Sequence, residues 1–247
     1  FTTYPKNFAE YITVKPSKIC SAEVMKSIYF INLDAWVSNF LRRQGYEYQI
    51  VYDEEVDRAW RDAIAIAGGD LSFVENFYKD EWVKVVQAQE VYDKVSYCKA
   101  SRIGRGVRLD RKVRMQIWDV FDEYQNIMNE KLQRDVETAM YECRKILENK
   151  KLTGQYTSII VDEGQDLSPS AYRLLRSLAG DEHRNDIFIV GDSHQRIYRN
   201  KAVLSKCGIN VRGRSSYLRI NYRTTEEIRR FAFGLLNGVS FDDLDDD

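Results

Sequence analysis

The chain has 247 residues, with 37 Lys and Arg against 38 Asp and Glu, and 44% hydrophobic and 30% charged residues. This composition is typical of an ordinary globular protein of one or two domains, and it excludes a disordered or membrane-spanning chain. Since the net charge is only −1, any binding of nucleic acid must come from local basic patches.

The cysteines predict a reducing setting, which we take to be the cytoplasm. No pair has C-x-x-C spacing, and with two histidines in the chain no usual zinc-ligand pattern forms. The apolar stretch 27–31 is too short to span a bilayer. No signal peptide follows Phe1, and a first residue other than Met suggests a piece of a longer protein.

A block dominated by helical spacing extends from Trp36 to Asn149. Within it, apolar residues return at steps of three and four, which predicts an amphipathic helix. We interpret this stripe as core packing and assign it no cofactor. Its members are Met115, Trp118, Phe121, Ile127 and Met128.

The pattern changes after Tyr156 to short apolar runs at 159–161 and 187–190, separated by a helical segment. Alternating strands and helices predict parallel βαβ units, and continuous apolar runs predict strands buried on both faces. Ligands bind beyond the carboxyl ends of such strands. The polar residues at these ends are Asp162 and Glu163 after the first run, and Gly191, Asp192 and Gln195 after the second.

Adjacent carboxylates directly follow the first of these predicted strands. Nucleotide-hydrolysing enzymes use this arrangement to place an Asp near Mg²⁺ and a Glu near the attacking water. Asp162 and Glu163 fit that pattern. The alternative is that they begin a turn or cap a helix.

Four segments stand out in chain order: TTYPKNFA at 2–9, VDEGQDLSP at 161–169, VGDSHQRIY at 190–198 and LRINYRTTEEI at 218–228. They resemble motifs Ia, II, III and IV of the UvrD/Rep-type superfamily 1 helicases. The resemblance implies an α/β fold, a RecA-like P-loop NTPase motor domain with a parallel sheet, interrupted by a mostly helical insertion. It also implies an ATP- and Mg²⁺-dependent DNA helicase or translocase moving 3′ to 5′.

The same resemblance implies roles at the nucleotide site. Asp162 would coordinate Mg²⁺, and Glu163 would lie at the metal and polarise the hydrolytic water. Gln195 would sense the γ-phosphate, and Arg223 would reach that phosphate from a second motor domain as an arginine finger. Tyr222 would stack on adenine, unless it is an aromatic packed between domains.

The resemblance also implies contacts with single-stranded DNA. Tyr198 would stack on a base, and Thr3 and Tyr4 would contact the strand through motif Ia. Segment 32–36 occupies the place of the next strand-binding motif with a loose match, and Trp36 can equally be core. The implied partners are single-stranded DNA, single-strand/duplex junctions, and nuclease or repair proteins.

A basic segment at 101–114 lies within the helical block. Cations of this kind neutralise phosphates without reading sequence, and the segment falls in what resembles the insertion beside DNA. We therefore expect Arg105, Arg108 and Arg111 to bind DNA, the alternative being a solvated loop. The full set of cations is Arg102, Arg105, Arg108, Arg111, Lys112 and Arg114.

Three departures from the family pattern stand out. Gly164 replaces the usual Ala, which should leave the carboxylates in place, and RNKAV follows Tyr198 in place of an aromatic and Arg-Gly. No G-x-x-x-x-G-K-[ST] loop occurs in the 247 residues, and motifs V and VI are absent. We therefore expect the chain to be the middle of a helicase and inactive as an ATPase by itself.

The resemblance predicts a domain division. Residues 1–41 and 150–200 would form motor domain 1A, 42–149 the insertion 1B, and 201–247 the start of motor domain 2A. Two other functions are compatible with the sequence: a nucleic-acid-binding module without ATPase activity, and the motor subunit of a nuclease or defence complex.

Overall fold

The computed structural model of the protein describes residues 20–69, 73–192, 202–218 and 224–235. Asp162, Glu163 and the basic segment lie within these ranges. The other predicted site residues lie outside them: Thr3, Tyr4, Gln195, Tyr198, Tyr222 and Arg223.

The first half of the described chain is mostly helical, with one short strand. Its elements are α1 Ala22–Met25, α2 Leu33–Arg43, β1 Gln49–Val51, α3 Asp53–Ala67, α4 Glu75–Glu81, a π-helix Trp82–Gln87, α5 Lys94–Lys99 and α6 Arg111–Glu130.

The second half alternates strands and helices. Its elements are β2 Gln133–Asp135, α7 Val136–Asn149, β3 Ile159–Val161, a 3₁₀ turn Gly164–Asp166, α8 Pro169–Ala179, β4 Ile187–Ile189, a 3₁₀ turn Leu204–Cys207 and α9 Glu226–Leu235.

Side-chain caps fix where several of these helices begin. The Asn32 carboxamide accepts the Ala35 N–H at 3.1 Å at the start of α2. Asp110 accepts the Val113 N–H at 2.8 Å at the start of α6. Ser168 caps α8, where Pro169 occupies the first turn. Such caps satisfy amide groups that have no partner within the helix.

The two apolar runs form neighbouring parallel strands, as their pattern predicts, with Ile159 beside Ile187 and Val161 beside Ile189. The prediction of burial on both faces is wrong for the described residues. Ile160 is 42% exposed and Phe188 is 63% exposed. The physical reason is that the described helices pack on one face of β3 and β4 only.

A second parallel pair, β1 with β2, lies inside the block predicted to be helical. The sequence pattern does not predict this pair, because each strand has three residues, too few to show an alternation of apolar and polar side chains. The sequence of β2 is Gln-Arg-Asp. This pair brings the start of α3 next to the start of α7.

The buried side chains form two hydrophobic clusters. One surrounds β3 and contains residues of α2, α7 and α8 together with the turn at 204–207. The other joins α3, α4, the π-helix, α5 and α6. At its centre Trp60 stacks on Tyr124 with ring centroids 4.0 Å apart, and Trp82 meets Phe121 edge-on at 5.3 Å.

The stripe predicted on α6 is buried in the second cluster, with one exception. Trp118, Phe121, Ile127 and Met128 are buried, but Met115 is 42% exposed. The interpretation of Met115 as core is therefore wrong, because the buried face of α6 begins only at Ile117 and Trp118.

Asp135 links β2, α6, α7 and the π-helix, and this role predicts a large loss of stability on truncation. Its carboxylate accepts hydrogen bonds from the Gln87 amide at 2.8 Å and the Tyr124 hydroxyl at 3.1 Å. It also accepts the backbone N–H and the hydroxyl of Thr138, each at 2.9 Å. Asp135→Ala should lower the free energy of unfolding by about 3 kcal/mol, because a cap is lost and buried donors lose their acceptor.

The matched control is Asp110→Ala, which removes an exposed cap and should cost about 1 kcal/mol. Urea unfolding of both variants measures the difference. Equal losses would show that Asp135 acts only as a helix cap.

Candidate nucleotide site and basic segment

The turn after β3 places the two predicted catalytic carboxylates at the carboxyl end of the sheet. Glu163 has φ 52° and ψ 42°, in the left-handed region. For a residue with a side chain this conformation costs about 1–2 kcal/mol, so the surroundings must hold it. The Gly164 N–H donates to the Val190 carbonyl at 2.8 Å, and the Asp166 N–H donates to the Glu163 carbonyl at 3.0 Å.

Gln165 ties the ends of β3 and β4 together. Its amide nitrogen donates to Glu163 Oε2 at 2.7 Å, and its amide oxygen accepts the Asp192 N–H at 2.9 Å. The side chain is buried, and a Cβ at Gly191 would lie 2.7 Å from the Gln165 oxygen. Gln165 therefore orients the Glu163 carboxylate from a fixed point on the neighbouring strand end, a role that the sequence pattern did not reveal.

Gly164 occupies a position with no room for a side chain. A Cβ there would lie 2.5 Å from Ile189 Cγ2 and 2.8 Å from the Tyr172 hydroxyl. The Tyr172 hydroxyl itself donates to the Gly164 carbonyl at 2.6 Å. A side chain at position 164 would therefore require a shift of Ile189 or Tyr172.

The two carboxylates fit part of a magnesium site. Asp162 Oδ1 accepts the Glu163 N–H at 3.1 Å. Asp162 Oδ2 and Glu163 Oε1 accept no hydrogen bond from the described residues, so both can act as ligands. No cluster of three His, Cys, Asp or Glu side chains suited to a metal occurs in the described ranges. One or two carboxylates are nevertheless enough for Mg²⁺ that arrives with nucleotide phosphates.

The basic segment is divided between buried and exposed cations. Arg102 binds both oxygens of Glu81 at 2.5 and 2.9 Å, and Arg105 binds Glu81 at 3.1 Å. The Tyr97 hydroxyl donates to the same carboxylate at 3.1 Å. Because Glu81 is fully buried, we call this group the Glu81 clamp, and it holds the segment to the end of α4.

Arg114 also has a structural role, because one of its guanidinium nitrogens donates to three backbone carbonyls at the end of α5, each at 3.0 Å. Arg108, Arg111 and Lys112 differ, because they are exposed and form no ion pair with any described residue. Of the three cations expected to bind DNA, Arg105 is largely buried and already paired, whereas Arg108 and Arg111 are available to a ligand.

Segment 32–36 has a structural role in the described chain. Asn32 caps α2, and Leu33 and Trp36 are buried. The Trp36 indole donates to the Tyr156 hydroxyl at 2.8 Å and stacks on Phe40. The interpretation of Trp36 as core is therefore confirmed.

The insertion meets the helix that follows the carboxylates at two places. Arg173 of α8 donates to the Ala88 carbonyl at 2.7 Å and approaches Glu90 at 3.4 Å. Nearby, a cavity of about 430 Å³ separates the π-helix and the basic segment from the start of α8. Glu137 lines it, and burial raises the pKa of that carboxyl to about 7.

Comparison with known proteins gives a consistent set of relatives. The family model of the UvrD/REP helicase N-terminal domain matches residues 24–204. The chain is 24% identical over 226 residues to a Bacillus subtilis protein named as the ATP-dependent DNA helicase YjcD, covering 82% of this chain and 25% of that protein.

Two Mycoplasma proteins named as DNA helicase II homologues also match. The Mycoplasma pneumoniae protein is 30% identical over 109 residues, covering 41% of this chain and 15% of its own length. The Mycoplasma genitalium protein is 21% identical over 255 residues, covering 95% of this chain and 35% of its own length. The chain thus spans about a third or less of these relatives. Among the described residues no helix is long and apolar enough to cross a membrane.

The Glu81 clamp predicts a strong dependence of stability on a single carboxylate. Glu81→Gln should lower the free energy of unfolding by about 3–5 kcal/mol, because Arg102 and Arg105 would remain buried without a counter-charge. The control is Asp80→Asn, whose exposed carboxylate pairs with Lys84 and lies 3.5 Å from Arg105. It should change stability by less than about 1 kcal/mol. Similar urea midpoints for the two variants would contradict the clamp.

Proposed function

Because the chain belongs to the UvrD/REP helicase N-terminal domain family, we propose that it is the central part of an ATP-dependent DNA helicase moving 3′ to 5′ on single strands. The family and the names of the relatives support this proposal. The observation that carries the proposal is the turn in which Asp162 and Glu163, at the end of β3, are joined through Gln165 to the end of β4.

The carboxylates of this turn have distinct proposed tasks. Asp162 would hold Mg²⁺ with the oxygen that accepts no hydrogen bond from the described residues. Glu163 would accept a hydrogen bond from the water that attacks the γ-phosphate. Bound ATP and Mg²⁺ supply the phosphoryl group and neutralise its charge. Gln165 keeps the Glu163 carboxylate oriented, so that no reorganisation is needed when water binds.

Three residues outside the described ranges complete the proposed nucleotide site. Gln195 follows β4 in the sequence and would contact the γ-phosphate. Tyr222 would stack on adenine, and Arg223 would reach the phosphate from a second motor domain that closes over ATP. A cation that arrives only on closure stabilises the charge of the transition state without tightening the open state.

Single-stranded DNA is the proposed polymer substrate. Arg108 and Arg111 supply phosphate contacts from the exposed part of the basic segment, with Arg105 behind them in the Glu81 clamp. Tyr198 would stack on a base, and Thr3 and Tyr4 would contact the strand. Phosphate contacts position the strand without reading its sequence, as a translocating motor requires.

The proposed domain division keeps residues 1–41 and 150–200 in motor domain 1A, 42–149 in the insertion and 201–247 in the second motor domain. Two observations refine it. Helix α7 packs with β3 and α8, so the separate core of the insertion runs from Val51 to Met128. The exposed Ile160 and Phe188 form a sheet face suited to a further layer of a RecA-like domain.

Glu163 provides the test of motor function in the complete protein, by which we mean the full-length helicase that contains this chain together with a G-x-x-x-x-G-K-[ST] loop and motifs V and VI. Glu163→Gln should leave ATP binding nearly unchanged and lower DNA-stimulated hydrolysis by about 10²–10⁴-fold, because the amide keeps the shape but loses the charge that orients water. Arg223→Ala should lower hydrolysis by about 10³–10⁵-fold. Both variants should lose duplex unwinding.

The control is Glu182→Gln, which alters an exposed carboxylate paired with Arg214 at 2.8 Å. It should hydrolyse ATP at the wild-type rate. Wild-type hydrolysis by folded Glu163→Gln would instead favour a nucleic-acid-binding module. Full motor activity that requires a co-purifying nuclease would favour the nuclease-complex alternative.

The basic segment is tested by the salt dependence of binding to single-stranded DNA. Replacing Arg108 and Arg111 by Ala should weaken binding similarly for every sequence and make the slope of log K against log salt shallower by about 0.7 per lost contact. Arg58→Ala with Arg61→Ala removes two exposed arginines from α3 as a control. An unchanged slope in the first pair would make the segment a solvated loop.

A further inference from the structure

Tyr172 is a buried residue of α8 that touches the catalytic turn from outside the motifs. Its side chain is fully buried, and its hydroxyl donates to the Gly164 carbonyl at 2.6 Å. Tyr172 therefore reaches the backbone directly after Glu163. The hydrophobic pattern of α8 explains why its ring is buried, but it does not explain why the buried ring carries a hydroxyl.

The hydroxyl makes the shorter of two hydrogen bonds that hold one of the peptide groups beside Gly164. The preceding peptide group is fixed from β4, because the Gly164 N–H donates to the Val190 carbonyl at 2.8 Å. The following peptide group is held at its carbonyl, which accepts the Tyr172 hydroxyl at 2.6 Å and the Leu167 N–H at 3.2 Å. With both groups held, the chain cannot relax Glu163 out of its left-handed conformation by rotating the backbone of Gly164.

Gly164 and Tyr172 also fit each other sterically. A Cβ at position 164 would lie 2.8 Å from the Tyr172 hydroxyl and 2.5 Å from Ile189 Cγ2. A side chain at position 164 would therefore displace the hydroxyl or the strand. The absence of a side chain lets α8 approach the turn closely enough for the hydrogen bond.

We propose that Tyr172 is a positioning residue for ATP hydrolysis, acting through the Gly164 carbonyl to hold the Glu163 carboxylate where the attacking water must lie. The inference rests on the proposed function of Glu163 and assigns a role to a residue that does not touch nucleotide. Small displacements of a catalytic group have large effects on rate, about 100-fold for 1 Å. Loss of the hydroxyl should therefore affect turnover more than binding.

The experiment uses Tyr172→Phe in the complete protein, which keeps the ring and removes only the hydroxyl. We expect the DNA-stimulated kcat to fall by about 10-fold or more, with KM for ATP changed by less than about twofold. Tyr156→Phe is the matched control. It removes a hydroxyl that accepts the Trp36 indole N–H at 2.8 Å in the same cluster and makes no contact with the turn. Its kcat should be that of the wild type.

A double variant distinguishes positioning from a general loss of structure. If Tyr172 acts through Glu163, Glu163→Gln with Tyr172→Phe should hydrolyse ATP no more slowly than Glu163→Gln alone.

The outcomes separate the inference from the proposed function. Wild-type kcat in Tyr172→Phe, an equal fall in Tyr156→Phe, or multiplied losses in the double variant would overturn the role of Tyr172 while Glu163→Gln remains inactive. Wild-type hydrolysis by Glu163→Gln would overturn the proposed function itself, and the role of Tyr172 with it.

Discussion

Two hydrogen bonds made by one buried side chain determine the geometry of the candidate nucleotide site. Gln165 donates to the Glu163 carboxylate and accepts from the backbone of Asp192, so the ends of β3 and β4 are held together. These bonds help to hold Glu163 in its left-handed backbone conformation, which is unfavourable for a residue with a side chain. A carboxylate held before substrate binds is the kind of preoriented group that lowers a hydrolytic barrier.

A second buried group organises the basic surface. Glu81 lies in the interior of the insertion, and a buried carboxylate is stable only when it is paired and hydrogen-bonded. Arg102, Arg105 and Tyr97 satisfy it, which fixes the course of the loop that follows α5. Arg108 and Arg111 are then presented to solvent on a defined backbone, as suits cations that bind phosphates.

The sequence predicts those parts of the structure that depend on regular patterns. The parallel strands at 159–161 and 187–189 and the buried face of α6 follow from the spacing of apolar residues. The carboxylates at 162 and 163 follow from the position after a strand. These features are local, so a single stretch of sequence contains the information.

Contacts between distant segments were not predictable in the same way. Glu81 and Arg102 are 21 residues apart in the sequence, and Gln165 and Asp192 are 27 apart. No helix or strand periodicity relates the members of either pair. The strand pair β1 and β2 is too short to show a period. The exposure of Phe188 depends on which elements cover that face of the sheet. The residues of β4 alone do not indicate this.

The most direct test of the central claim is the single-turnover rate of ATP hydrolysis by Gln165→Met in the complete protein, with DNA in excess. Methionine keeps the length of the side chain and removes both hydrogen bonds. If the bridge orients Glu163, the rate should fall by about 10–100-fold while ATP binding and the urea midpoint change little. A wild-type rate in the folded variant would show that the carboxylate is oriented without Gln165 and would contradict the account.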